Sequence, residues 1–210
     1  MADKTQFTAA EAAFVLREPI RTVKKALDKG PVRPVLQLRS GTAVRVIGWT
    51  DLFYLFAVRV LGDDLTPRAR AEFHAALQRA QSACADEVRF GRFRIVVADL
   101  VDTVKKRTIE LVELQTRFAL ADNGKAVLDA RGVEVHRIAA LLRGGLSVNA
   151  VLEEYPFLSR DAVENARAYA EVFPRPGRPY PRTTASRARR EAGLEPPAEM
   201  ANDDGGGDED

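Results

Sequence analysis

A mainly α-helical fold with a small β component is predicted, and three observations predict it. Apolar residues recur at helical spacing over most of the first 173 positions. Helix-capping residues, namely Thr8, Thr66, Ser147 and Ser159, stand directly before several of these stretches. Two runs, 35–47 and 88–98, alternate around Ser40-Gly41 and Gly91 and read instead as short strands.

The chain has 210 residues, 46% hydrophobic and 30% charged, which suits one ordinary domain or two small ones. No run of 18 apolar residues occurs, so a membrane-spanning helix is not expected. Met1 to Gln6 is polar, without the basic flank and apolar core of a secretory signal. Cys84 is the only cysteine, which excludes an internal disulfide and any multi-cysteine metal site.

The first helix opens at Thr8. Glu11 stands three residues on and completes a capping box, and Phe7 can staple against the first turn. This helix runs to Leu16 and is broken by Arg17-Glu18-Pro19. Proline suits the first turn of a new helix, so a second helix is expected from Pro19 to Lys29, stopped by Gly30-Pro31. Its apolar residues Ile20, Val23, Ala26 and Leu27 form one stripe, which leaves Arg21, Lys24 and Lys25 outside. A hairpin follows, 35–39 and 42–47. Two short helices, a tight turn and a hairpin describe a winged helix-turn-helix over residues 1–64. Asp51 to Leu61 closes that unit with a further helix.

Residues 65–121 read as a connector. Thr66-Pro67 starts a helix to about Ala83, the strands around Gly91 follow, and Asp99 to Leu120 is the longest helical pattern. Such a helix suits a link between modules or a dimer contact. Asp122-Asn123-Gly124 is a turn. Residues 122–173 then hold three helices: Val135 to Arg143, ended by Gly144-Gly145; Val148 to Tyr155, stopped by Pro156; and Arg160 to Phe173. They form a compact unit of helix-turn-helix topology.

Residues 174–210 carry six of the 11 prolines and, among large apolar residues, only Tyr180, Leu194 and Met200. So little apolar area does not offset ordering entropy, and a disordered tail is expected. Thr184 to Ala192 is a candidate short helix on a partner.

The formal charge of +2 is the sum of unlike segments. Residues 14–45 carry a local +6, residues 174–193 a local +5, and residues 194–210 a local −7. The first basic zone falls on the second helix and the hairpin. Arg21, Thr22, Lys24, Lys25, Arg33, Arg39 and Arg45 are therefore the candidate DNA-binding residues, lysine and arginine neutralising phosphates and one or two residues of the helix reaching base edges. His74, His136 and Cys84 have no partners at ligand or catalytic spacing, and no glycine-rich phosphate loop is present. Neither an enzyme nor a metal or other cofactor is expected.

Residues 136–170 read HRIAALLRGGLSVNAVLEEYPFLSRDAVENARAYA. This stretch resembles the small helical domain of unknown function encoded beside PIN-like toxins in bacteria. The matching positions are Ile138, Ala139, Leu141, Leu142, Gly145, Ser147, Val151, Leu152, Tyr155, Pro156, Leu158, Val163, Ala166, Tyr169 and Ala170. The first 60 residues resemble the DNA-binding helix-turn-helix of VapB-type antitoxins that carry the same module. The chain departs from the family just before the first helix of the module. Where the family has Asp-Pro and Gly-Thr-Arg, this sequence has Asp122-Asn123 and Asp129-Ala130-Arg131-Gly132-Val133, so a small strand pairing there is not carried over.

The resemblance implies an antitoxin of a type II toxin–antitoxin pair. Such a protein neutralises a PIN-like ribonuclease toxin and represses its own operon in the cytoplasm by binding operator DNA. A homodimer is expected because operators are commonly palindromic. An arginine entering the toxin's carboxylate cluster would compete with metal or RNA phosphate, which makes Arg175, Arg178, Arg182, Arg187, Arg189 and Arg190 the candidate toxin-binding residues. The alternative is a stand-alone helix-turn-helix transcription regulator whose C-terminal module oligomerises.

Overall fold

The computed structural model describes residues 5–39, 42–62, 65–80, 86–121, 124–129, 131–175, 178 and 180–193. The fold is mainly helical with small antiparallel sheets. The Ser40-Gly41 turn, Cys84, the expected last turn of the helix at 81–83, Asp122-Asn123 and the acidic end 194–210 lie outside the described residues.

Strand β1 (Gln6–Thr8) leads directly into helix α1 (Ala9–Leu16). The capping box is complete: the Thr8 amide donates to Glu11 Oε2 at 2.7 Å, and the Glu11 amide donates to Thr8 Oγ1 at 3.3 Å. Ala10, Glu11, Ala12, Ala13, Val15 and Leu16 of α1 are all buried. The small side chains let neighbouring helices come close, and α1 packs against α2 (Ile20–Lys29), α3 (Trp49–Leu61), α5 (Ala98–Thr116) and α8 (Arg160–Val172). It ends at Arg17, whose φ of 57° is left-handed. Three arginines hold this corner. Arg107 of α5 donates to the Val15 carbonyl at 3.1 Å, Arg59 of α3 donates to the Leu16 carbonyl, and Arg17 pairs with Glu110 of α5 at 2.6 Å. Arg107 and Arg59 satisfy carbonyls that a helix end leaves without intrahelical partners, and the Arg17 pair ties that end to α5.

The hairpin of β2 (Val35–Arg39) and β3 (Thr42–Gly48) is joined by β1, giving the order β1-β3-β2. Phe7 lies opposite Ile47, and both are buried. The third strand had no sequence signal, because three residues carry too little pattern. It forms because β3 offers a free edge beside the start of α1. The alternation expected for β2 does not bury one face: Val35, Leu36 and Leu38 are all well exposed on this edge strand.

Helix α4 (Pro67–Ala80) is capped by Thr66, which accepts from the Ala69 amide at 3.3 Å. The strands around Gly91 are present as β4 (Glu87–Phe90) and β5 (Phe93–Val96). Gly91 has φ 53°, the left-handed turn position that favours glycine. Phe73 of α4 packs against Phe90 and Tyr54, and Asp51 of α3 bonds His74 of α4 at 2.7 Å.

The long helix α5 stops at Thr116, not Leu120. Ala119–Leu120 instead forms β6, antiparallel to β7 (Ala126–Val127), and Val127 bridges to Glu134. A small strand pairing therefore exists before the C-terminal module despite the altered local sequence. Helices α6 (Val135–Arg143), α7 (Val148–Glu154) and α8 follow, with Ser147 and Ser159 capping α7 and α8 as the sequence predicts. Val135, Ile138, Ala139, Leu141, Val151, Val163 and Ala166 are buried, and this core runs on into that of the N-terminal helices.

The expectation of an unstructured chain from Pro174 is corrected for residues 180–193. This arm lies against α6 and ends in helix α9 (Ala185–Glu191). Low apolar content was a poor guide, since the arm is held largely by polar contacts.

Candidate functional site

Two sets of residues were expected to carry function, and the structure treats them differently. On α2 the burial follows the predicted stripe only from Val23 onward: Ala26 is half-buried, and Ile20 in the first turn is exposed. Val23 and Leu27 are buried, while Arg21, Thr22, Lys24, Lys25 and Lys29 are exposed. Arg21, Lys24 and Lys25 make no ion pair with any described residue. Asp28 lies on the same face but is taken up by Arg45, which leaves these three cations turned to water, as phosphate contact requires.

The hairpin cations are more constrained. Arg45 on β3 pairs with Asp28 of α2 at 2.8 Å, which ties the hairpin to the helix and partly neutralises Arg45. Arg33 donates to the carbonyls of Gly30 at 3.0 Å and Val32 at 3.3 Å, bracing the turn after α2 while staying exposed. The Arg39 side chain lies outside the described residues. Lys29, in the last turn of α2, shares the exposed basic face and belongs with the other cations; its position just before Gly30-Pro31 obscured that in the sequence.

The second set is the arm. Glu134, the residue before α6, is its anchor. Lys125 donates to Glu134 Oε1 at 2.6 Å, the Tyr180 hydroxyl donates to Oε2, and Arg175 stands 3.6 Å from the same oxygen. The Arg175 guanidinium also lies over the Tyr180 ring, 4.6 Å from its centre. Burial works to raise the Glu134 carboxyl, but the bonds from Lys125 and Tyr180 and the nearby cations outweigh it and hold it below the usual carboxylate range. Burial, then the bond to Glu134, push the Tyr180 phenol up.

Further along, Arg137 donates to the carbonyls of Pro181 at 3.0 Å and Thr183 at 3.4 Å. Thr184 is buried, donates to Glu154 at 2.9 Å and caps α9 by accepting from the Arg187 amide at 3.3 Å. The six arm arginines are therefore not equivalent. Arg175 is engaged within the chain, and Arg178, Arg182 and Arg189 are exposed. Arg187 is half-buried, and the Arg190 side chain lies outside the described residues. Composition marks the arginines of this segment but not Glu134, Arg137 or Thr184, which position it.

His74 is committed to Asp51, and His136 bonds the Phe173 carbonyl at 2.7 Å. Among the described residues no group of histidine, cysteine and carboxylates is placed to hold a metal ion. Among those residues, too, no helix is long and apolar enough to cross a membrane.

The protein is thus a mainly helical chain with small antiparallel sheets, an exposed basic helix near one end and a compact helical module near the other. Residues 122–170 match the family described as Protein of unknown function (DUF433), so this module is a DUF433 domain. No curated protein matches the sequence. The crystal structure of Rv2018 from Mycobacterium tuberculosis is similar at 17% identity, covering 78% of this chain and 97% of that chain, with a TM-score of 0.25. So loose a superposition carries no structural argument.

Proposed function

We propose that the chain is a DNA-binding antitoxin. Residues 1–64 act as a winged helix-turn-helix, with α2 as the recognition helix and β2–β3 as the wing. The observation that carries this reading is the exposed face of α2, where Arg21, Lys24 and Lys25 stand opposite the buried Val23 and Leu27 without an ion pair to any described residue. Arg33 supports it beside the helix, and Arg45 holds the wing in register through Asp28. Thr22 is exposed on the same helix and suits a phosphate oxygen.

The DUF433 domain and its docked arm form the toxin-facing half. Arg178, Arg182 and Arg189 are available to a carboxylate cluster of a PIN-like ribonuclease, while Arg175 keeps the arm in place. The arm is already seated, so less ordering entropy opposes partner binding than for a free tail. A homodimer fits a palindromic operator.

Two measurements test the proposal together. The protein should bind its own promoter region in a salt-dependent way, and co-expression with the adjacent reading frame should abolish that product's toxicity and yield a co-purifying complex. Promoter binding without either effect would overturn the antitoxin reading in favour of a stand-alone regulator. Loss of both would overturn the whole reading.

A further inference from the structure

A cavity of about 480 Å³ opens where the first turn of α3, the end of α4, β4 and the first half of α5 meet. Its size is that of a small-molecule site. Trp49 and Phe53 supply aromatic wall, and Asp86, Asp102 and Lys105 stand around the mouth. Thr50 also lines it. That residue is 7% exposed, and its Oγ1 is buried with no hydrogen-bond partner. A buried hydroxyl without a partner costs stability and calls for explanation. Thr50 sits at the second position of α3, where other atoms of the residue line the cavity while its Oγ1 is closed off from it.

Charge selects the ligand. None of the three mouth groups makes an ion pair with a described residue, and two carboxylates against one ammonium leave the mouth acidic at neutral pH. The half-buried Trp49 ring adds a face that attracts cations. The start of α5 brings partial positive charge, which Asp99 in its first turn offsets.

We propose that this cavity binds a small organic cation with an apolar or aromatic body and an N–H donor. The body lies against Trp49 and Phe53, and the ammonium faces Asp86 and Asp102.

Trp49 is the only tryptophan in the chain, so its fluorescence reports on the site directly. The full-length protein is titrated with 2-phenylethylammonium, with neutral 2-phenylethanol and with anionic 3-phenylpropanoate. A saturable change in Trp49 emission is expected with the cation, weaker with the alcohol and absent with the carboxylate. The double variant D86N/D102N should weaken the cation by roughly tenfold, two exposed charge contacts being lost. Both carboxylates are exposed, and circular dichroism checks that the variant is folded. K105Q acts in the opposite sense and should tighten the cation by a few-fold. No saturable change, preference for the carboxylate, or identical cation affinity in all three proteins would overturn the proposal.

Discussion

Gly144 at the end of α6 is packed directly against the backbone of Arg182 in the arm. A Cβ at position 144 would stand 2.7 Å from the Arg182 Cβ and 2.9 Å from its carbonyl carbon. Gly144 has an ordinary helical backbone, so its role is to leave room and not to reach an unusual φ. The arm crosses the end of α6 where the missing side chain of Gly144 admits it, and Arg137 grips the two carbonyls on either side of Arg182.

Gly144→Ala should therefore expel the arm while leaving α6 intact, since alanine favours helix over glycine. An overpacking cost of about 1–3 kcal/mol falls on the arm contact alone. Amide exchange at Ala188, whose N–H bonds the Thr184 carbonyl, should accelerate by about tenfold or more. Unchanged protection at Ala188 would mean that the arm does not depend on this contact.

Docking of the arm should also depend on pH, in two directions. The folded Glu134 carboxyl titrates below its ordinary value, so its contribution is present above about pH 4.3 and lost as pH falls through the lower folded value. The Tyr180 phenol is raised, so its contribution is present below about pH 10 and lost as pH rises through the folded value. Protection at Ala188 should be flat between those limits and fall outside them. Glu134→Gln should abolish the acid limb and weaken docking at neutral pH by about 1.5–3 kcal/mol, the range for a hydrogen bond to a charged group. An acid limb that survives in the variant would assign it to another carboxylate.

The buried Thr50 hydroxyl makes a prediction that needs no ligand. Valine has nearly the same shape and no group to satisfy, so Thr50→Val should stabilise the free protein by about 1 kcal/mol. For a chain of this size the gain corresponds to a rise in Tm of roughly 2–4 °C. A lower Tm would show that the hydroxyl is satisfied in solution.

Local chemistry accounts for what the sequence made legible. Thr8 with Glu11, Thr66, Ser147 and Ser159 cap the helices they announce, because a cap bonds within three residues of itself. The hairpin around Gly91 and the buried Val23 and Leu27 of α2 were legible for the same reason, whereas Ile20 of the same stripe is exposed at the start of the helix. Contacts made at a distance were not. β1 exists because β3 has a free edge some 40 residues on. α5 yields to β6 because Ala119–Leu120 pairs with Ala126–Val127. Of the candidate site, the exposure of Arg21, Thr22, Lys24 and Lys25 could be read from periodicity. The Asp28 pairing of Arg45 and the Glu134 pairing of Arg175 could not, since ion pairs across the fold leave no trace in spacing. Composition does not announce the arm because it measures apolar area, whereas the arm is held through carbonyls, the two carboxylates of Glu134 and Glu154, and a missing Cβ.

Whether the exposed face of α2 binds DNA is decided by the salt dependence of promoter binding in the charge-reversal variant R21E/K25E. Both side chains are exposed and without ion pairs to described residues, so the variant should keep the fold. The intact protein should lose affinity with salt at a log–log slope near −4 for each bound protomer if Arg21, Lys24, Lys25 and Lys29 each neutralise a phosphate. The variant should bind far more weakly, with a slope shallower by about 2. Equal affinity and an equal slope in the two proteins would contradict the account.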